Sequence, residues 1–161
     1  MIIKNFELPF INYGEDNIRV LKQVWKKSDN EILELKTVGG SCFPGLREQE
    51  LILMLLDELY KNRVAKVRDD IKEIKVYFTI KELQKKFKIK NGDDVENFLD
   101  ESLKVLNEVT MYIKYIKITD SKSIMEKSFR IIDGYSINNK NYSYVRFNSG
   151  FIELMKNLNY K

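Results

Sequence analysis

The sequence predicts an α+β fold, and three patterns predict it. Residues 18–26 and 31–38 are rich in Ile, Val, Leu and Trp and flank Lys27-Ser28-Asp29-Asn30, which reads as a β-hairpin. A short helix entered at Thr79, a turn at Ile89-Lys90-Asn91-Gly92 and a longer amphipathic helix running to about Glu108 form a helix–turn–helix pattern. A second hairpin follows directly, with residues 110–118 and 124–132 either side of the polar Asp120-Ser121-Lys122-Ser123. A hairpin in that position is the wing of a winged helix–turn–helix, here with an additional N-terminal β-hairpin.

Along the chain, residues 1–16 contain Pro9 and Gly14 and little periodicity, so they read as an arm preceding a domain over 17–161. Gly39-Gly40 and Pro44-Gly45 break the chain after the first hairpin. A helix is predicted over residues 46–62; its apolar residues cover more than one face, which places it centrally in the core. Residues 63–72 are charged and read as loop. Ile74, Val76 and Phe78 alternate with Lys75 and Tyr77, as in a short strand. Thr79-Ile80-Lys81-Glu82 matches a capping box, in which the Thr hydroxyl and the Glu carboxylate each satisfy a free backbone N–H. Asp93 or Asp94 can cap the longer helix. Its inner stripe is Val95, Phe98, Leu99, Ser102, Leu106 and Val109, and Asn97, Asp100, Glu101, Lys104 and Asn107 face outward. Asp133-Gly134 marks a further turn, residues 138–141 another, residues 142–147 a last strand, and Ser149 a cap for a final helix over 150–157. Trp25 and the run at residues 51–56 are assigned to the core, and Cys42 reads as a small buried hydrophobe.

Composition excludes whole classes of chemistry. The chain has no histidine and one cysteine, so it lacks the ligands of a zinc finger and the partners of Ser-His or Cys-His catalysis. A tyrosine nucleophile of the nicking type would need a His-rich metal site beside it, so the nine tyrosines read as core and surface residues. The expectation is a non-enzyme with no cofactor and no metal. No apolar run approaches the roughly 18 residues of a membrane helix, the start shows no signal-peptide pattern, and a lone thiol gives no reason to invoke an oxidising compartment. These point to a cytoplasmic protein without a membrane partner.

The net charge of +4 permits nucleic-acid binding without requiring it, but its distribution is informative. Residues 71–92 carry seven lysines against two glutamates, residues 93–109 six acids against Lys104, and residues 110–130 five bases against two acids. Lys81, Lys85, Lys86, Lys88 and Lys90 on the short helix and turn are candidates for phosphate contact. Lys114, Lys117, Lys122 and Lys127 on the second hairpin are candidates of the same kind. Asn91, Asp94 and Asn97 on the first turns of the longer helix can address base edges, Asn through adenine N6 and N7 and Asp through cytosine N4; Lys104 lies farther along. Each has an alternative reading. Lys, Ile and Asn make 54 of 161 residues, an A·T-rich codon bias, so the lysines also read as an ordinary solvated face and the asparagines as caps and surface residues. An ordinary helical hairpin fits residues 79–108 as well.

Phe43-Pro44-Gly45-Leu46, then a long apolar helix, then Val76-Tyr77-Phe78-Thr79-Ile80-Lys81-Glu82-Leu83 resemble the plasmid replication initiator protein A family. Leu103-Lys104-Val105-Leu106-Asn107, Thr110-Met111-Tyr112-Ile113, Phe129-Arg130-Ile131-Ile132-Asp133-Gly134-Tyr135 and Tyr144-Val145-Arg146-Phe147-Asn148 continue the resemblance in order, over about residues 18–158. It is to the N-terminal domain of such initiators, whose chains usually continue into further segments. It implies a winged-helix domain that binds repeats in plasmid origin DNA and recruits host replication proteins, with a homodimer as a compatible state. The chain departs from a simple groove-binding helix in one respect: Asp93, Asp94, Glu96, Asp100 and Glu101 give the longer helix an acidic exposed face that repels phosphates. A winged-helix transcriptional regulator is one alternative. A protein-interaction or dimerisation module using that acidic helix is another.

Overall fold

The computed structural model describes residues 8, 10–11, 19–26, 28–62, 73–119 and 122–157. Among these, four helices pack with two antiparallel sheets. The N-terminal hairpin forms as expected, from β1 (Val20–Lys26) and β2 (Glu31–Val38), closed by reciprocal backbone bonds between Ser28 and Glu31. It does not stand alone. β2 pairs with β4 (Thr110–Lys117), and β4 with β5 (Lys122–Arg130), in a four-stranded sheet of order β1-β2-β4-β5. The register sets Leu35 opposite Ile113 and Leu33 opposite Tyr115, all four buried, so the period-two alternation of both strands buries one common face.

The second sheet has the order β3-β7-β6, from β3 (Glu73–Phe78), β6 (Ile132–Ser136) and β7 (Ser143–Asn148). The hairpin at residues 110–130, expected to accompany the helix–turn–helix as its wing, therefore belongs to the other sheet and not to the one containing β3. The physical reason lies at Ile131-Ile132. Both side chains are fully buried, anchoring the chain in the core at the point where it leaves the first sheet after Arg130 and enters the second at Ile132. The Asp133-Gly134 turn is likewise absent as a turn: it is a register irregularity within β6 opposite Arg146.

Helix α1 (Leu46–Asn62) is central, with Leu51, Ile52, Leu55, Leu56 and Leu59 buried. It packs with α2 (Ile80–Phe87), α3 (Gly92–Asn107) and α4 (Ser149–Asn157) around one continuous core. The segment read as an N-terminal arm contributes to that core: Leu8, Phe10 and Ile11 are buried, and Phe10 meets Phe151 edge to face at 5.6 Å. The rest of residues 1–18 and the loop at 63–72 lie outside the described residues.

Three smaller expectations are corrected. Cys42 is exposed, because the loop after Gly40 turns Pro44 inward, and Phe43 partly, in its place. Trp25, on edge strand β1, is only partly buried, since among the described residues no further strand covers that edge. The final helix is capped by Asn148, whose Oδ1 accepts from Gly150 N–H at 2.8 Å, and not by Ser149, which already begins the helix.

Candidate nucleic-acid interface

The α2–α3 pair is built by local hydrogen bonds that the sequence spells out. Thr79 Oγ1 accepts from Glu82 N–H at 3.2 Å and Glu82 Oε2 accepts from Thr79 N–H at 3.4 Å, completing the capping box. Ile80 and Leu83 turn into the core while Lys81 and Lys85 stay exposed. α2 stops at Lys88, which adopts the left-handed conformation (φ 54°, ψ 39°), the one described non-glycine residue with positive φ. The turn is braced by Ile89 N–H donating to Gln84 O and by the Gln84 amide donating to Lys90 O. α3 then starts from Asn91, whose Oδ1 accepts from Asp93 N–H at 2.9 Å. Asn91 and not Asp93 or Asp94 is the cap, because only the residue just before the helix has the extended backbone (φ −99°, ψ 125°) from which its side chain reaches a free N–H.

This geometry sorts the candidates. Lys81, Lys85, Lys88 and Lys90 are exposed, as are Asp94 and Asn97 on the first turns of α3. Lys86 is engaged: its ammonium lies 2.9 Å from Glu58 on α1. Lys104 lies 2.9 Å from Asp100, whose hydrogen bond and negative charge raise the lysine pKa above its ordinary value. Asn91 has one side-chain oxygen committed to the cap. On the hairpin, Lys114 pairs with Glu126 at 3.4 Å and Lys127 with Glu153 of α4 at 3.3 Å; Lys117 is exposed at the end of β4, opposite Lys122 in register. Lys114 and Lys127 border a groove on the four-stranded sheet with Lys36 and Tyr112, so the structure does not bring them together with the α2–α3 candidates in one groove.

The acidic face of α3 is partly neutralised by a residue that sequence reasoning missed. Arg47, in the first turn of α1, donates from Nη1 to Glu101 at 3.0 Å and from Nε to the buried Glu48 at 2.9 Å, and lies 6.0 Å from the ring of Phe98. Partial burial works against its charge, but the hydrogen bonds and attraction of Glu48 and then Glu101 outweigh that and raise its pKa. With Glu101 held by Arg47 and Asp100 by Lys104, the acids left on the first turns of α3 are Asp93, Asp94 and the half-buried Glu96. The only sequence signal was an Arg beside a Glu at a helix start, which does not reveal a partner on another helix.

A groove of about 450 Å³ separates α2 and the first turn of α3 from the turn between β6 and β7. Thr79, Lys81, Gln84, Gly92, Asp93 and Glu96 line one side, and Asn139, Lys140, Asn141 and Tyr142 the other. The turn is held by its own bonds. Asn138 Oδ1 accepts from Lys140 and Asn141 N–H at 3.0 and 3.3 Å, and Asn138 N–H donates to the hydroxyl of the buried Ser143 at 2.8 Å. Among the described residues no group of three or more Cys, Asp or Glu side chains is placed to hold a metal ion, and no helix is long and apolar enough to cross a membrane.

The elements and their order define an α+β domain in which four helices, the α2–α3 pair among them, pack with two antiparallel sheets among the described residues. No protein-family model matches the chain. No curated protein matches it either. Among solved structures it is similar to the crystal structure of domains 2 and 3 of RctB, with a TM-score of 0.58 at 10% sequence identity, over 93% of this chain and 57% of that chain. The match spans little more than half of the RctB chain, and at that identity the likeness is one of fold.

Proposed function

We propose that this chain is a winged helix–turn–helix domain that binds double-stranded DNA sequence-specifically at a plasmid replication origin and initiates replication by recruiting host factors. The observation that carries the reading is the braced α2–turn–α3 unit. It presents the N-terminal end of α3, with Asp94 and Asn97, after an α2 and turn that carry the exposed Lys81, Lys85, Lys88 and Lys90. A helix offered end-on in this way sets the positive end of its dipole towards DNA and leaves base contacts to its first turns, while neighbouring cations meet the phosphates. Arg47 and Lys104 support it by removing two of the charges that oppose such an approach. The three-stranded β3-β7-β6 sheet beside the α1–α3 helices supports the reading, with the hairpin at residues 110–130 in the other sheet. The likeness in fold to domains 2 and 3 of RctB and the resemblance of this sequence to plasmid initiators are in keeping with the reading.

The reading includes no chemistry. Without histidine and with a single thiol, the chain recognises and recruits, and supercoiled origin plasmid incubated with it and magnesium stays unnicked. The binding test is fluorescence anisotropy on duplexes carrying any short direct repeats found upstream of the gene and on mixed-sequence duplexes, titrated over a range of salt. Affinity for the repeats above that for mixed sequence, falling steeply with salt, supports the proposal. Salt-insensitive self-association without DNA binding would instead identify α3 as a protein-interaction surface.

A further inference from the structure

We propose that Arg47, in the first turn of α1, is a positioning residue for base recognition, holding α3 at the rotation that turns Asn97 to the duplex. The inference rests on the DNA-binding reading above and names a residue outside the α2–α3 pair on which its specificity depends. Apolar contact is non-directional, so a buried stripe decides which side of a helix faces inward but sets its fine rotation loosely. In α3 the stripe includes Val95, Leu99, Leu103 and Leu106, and its polar member, Ser102, makes no hydrogen bond through its hydroxyl. Directional bonds must therefore set the rotation. The α2–α3 turn ties the start of α3, and Glu108 ties its end to Ser41. Between those ends, the bond from Arg47 to Glu101 is the one side-chain hydrogen bond joining α3 to another element among the described residues.

Arg47 is itself held. Its Nε donates to Glu48, whose side chain is 6% exposed, so the guanidinium plane is fixed before it meets α3. From that plane Nη1 reaches Glu101 at 3.0 Å, and the Phe98 ring lies 6.0 Å away. Phe98 and Glu101 are three residues apart on α3, so one planar group grips the helix at two levels on one side. Phe98 also packs on Phe87 of α2, ring centroids 5.2 Å apart, which ties the same grip to the first helix of the pair. Asn97 directly precedes Phe98, and rotation of α3 about its axis carries both. A side chain that bonds a base edge through two atoms tolerates misplacement of only about 0.5 Å. Glu101 thus acts on DNA binding in two opposed ways. Its charge repels phosphates, while its oxygen, as the acceptor for Arg47, keeps Asn97 in place.

The test uses the full chain, a duplex selected by the wild-type chain from random-sequence DNA, its single-mismatch variants and a mixed-sequence duplex. Arg47→Lys keeps the cation but not the planar fork. It lowers discrimination between selected and mismatched duplexes about tenfold, within what a bidentate base contact supplies, and leaves the salt slope unchanged. Glu101→Ala lowers discrimination equally, and the two changes together cost no more than either alone. Glu101→Gln keeps an acceptor for Nη1 and loses the charge, so it retains discrimination while binding mixed sequence more tightly. If Arg47→Lys and Glu101→Ala keep full discrimination while Asn97→Ala loses it, Arg47 does not position α3 and the DNA reading stands without it. If Arg47→Lys weakens binding to every duplex alike and lowers the melting temperature, Arg47 only stabilises the fold and the inference is overturned. If Glu101→Gln loses as much discrimination as Glu101→Ala, the charge and not the grip is responsible, which overturns it as well. If the wild-type chain selects no sequence at all, the DNA reading fails and the positioning role with it.

Discussion

The ammonium of Lys86 lies 2.9 Å from Glu58 Oε1, an ion pair between α2 and α1 with the glutamate side chain largely shielded. It separates one lysine from neighbours that look identical in sequence. Lys85, Lys88 and Lys90 have no ion-pair partner among the described residues, so their charge is available to phosphate, whereas Lys86 already neutralises a carboxylate. Lys85→Ala and Lys90→Ala are expected to flatten the salt slope of DNA binding by about one unit each. Lys86→Ala leaves the slope unchanged and lowers stability by about 0.5 kcal/mol, the scale of a half-exposed pair. Salt titrations and urea unfolding of the three variants check this, and a flattened slope for Lys86→Ala alone contradicts it.

Lys88 closes α2 in the left-handed conformation, where a β-carbon is disfavoured. Lys88→Gly relieves that strain at the cost of a more flexible unfolded chain, and a net gain of about 0.5–1 kcal/mol is expected. The same change removes a cation beside the proposed DNA surface, so stability rises while affinity falls. A drop in the urea midpoint would falsify the strain argument.

Gly40 lies against Glu108, which ends α3 and whose Oε2 accepts from both the backbone N–H and the hydroxyl of Ser41, at 3.1 and 3.2 Å. A β-carbon at position 40 would come within 2.1 Å of that oxygen and 2.6 Å of the Glu108 Cβ. The side-chain end can swing away but its Cβ cannot, so Gly40→Ala breaks the clasp between the first hairpin's exit and α3. A loss of about 1–3 kcal/mol is expected, and Glu108→Ala, which removes the clasp without the clash, costs less. Equal melting temperatures for Gly40→Ala and the parent chain exclude this account.

What was legible in the sequence was local. The capping box at Thr79, the bounds of α1 and the alternation in β2, β3 and β4 all follow from residues within a few positions of one another. Strand partnership was not. β4 and β5 make the same hairpin whether they pair with β3 or with β2, and the choice is settled by faces that meet only when the chain is folded, Leu35 against Ile113 among them. The candidate site divides the same way. The basic helix and turn were visible, but the Lys86–Glu58 and Arg47–Glu101 pairs join residues 28 and 54 positions apart. The groove opposite the β6–β7 turn joins residues 79–96 to residues 139–142, which come together only when that turn is set against α2 and α3.

Asn91 and Asn97 both looked able to read adenine, and the structure gives them different work. Asn91 Oδ1 caps α3, so Asn91→Ala is expected to cost about 1 kcal/mol of stability and to weaken binding on all duplexes alike, while Asn91→Asp keeps the cap. Asn97 is exposed on the second turn of α3 and has no structural duty of that kind. In an end-on approach its amide faces base edges, where the acceptor and donors of adenine match it bidentately. Asn97→Ala should leave the melting temperature unchanged and reduce discrimination between a selected site and a one-base variant by roughly 1–3 kcal/mol. Lys104, two turns farther along and paired with Asp100, should contribute little to that discrimination. Competition binding of Asn97→Ala and Lys104→Ala against the selected and single-mismatch duplexes decides the matter. If discrimination survives in Asn97→Ala and is lost in Lys104→Ala, α3 lies flat along the groove and the end-on approach is wrong.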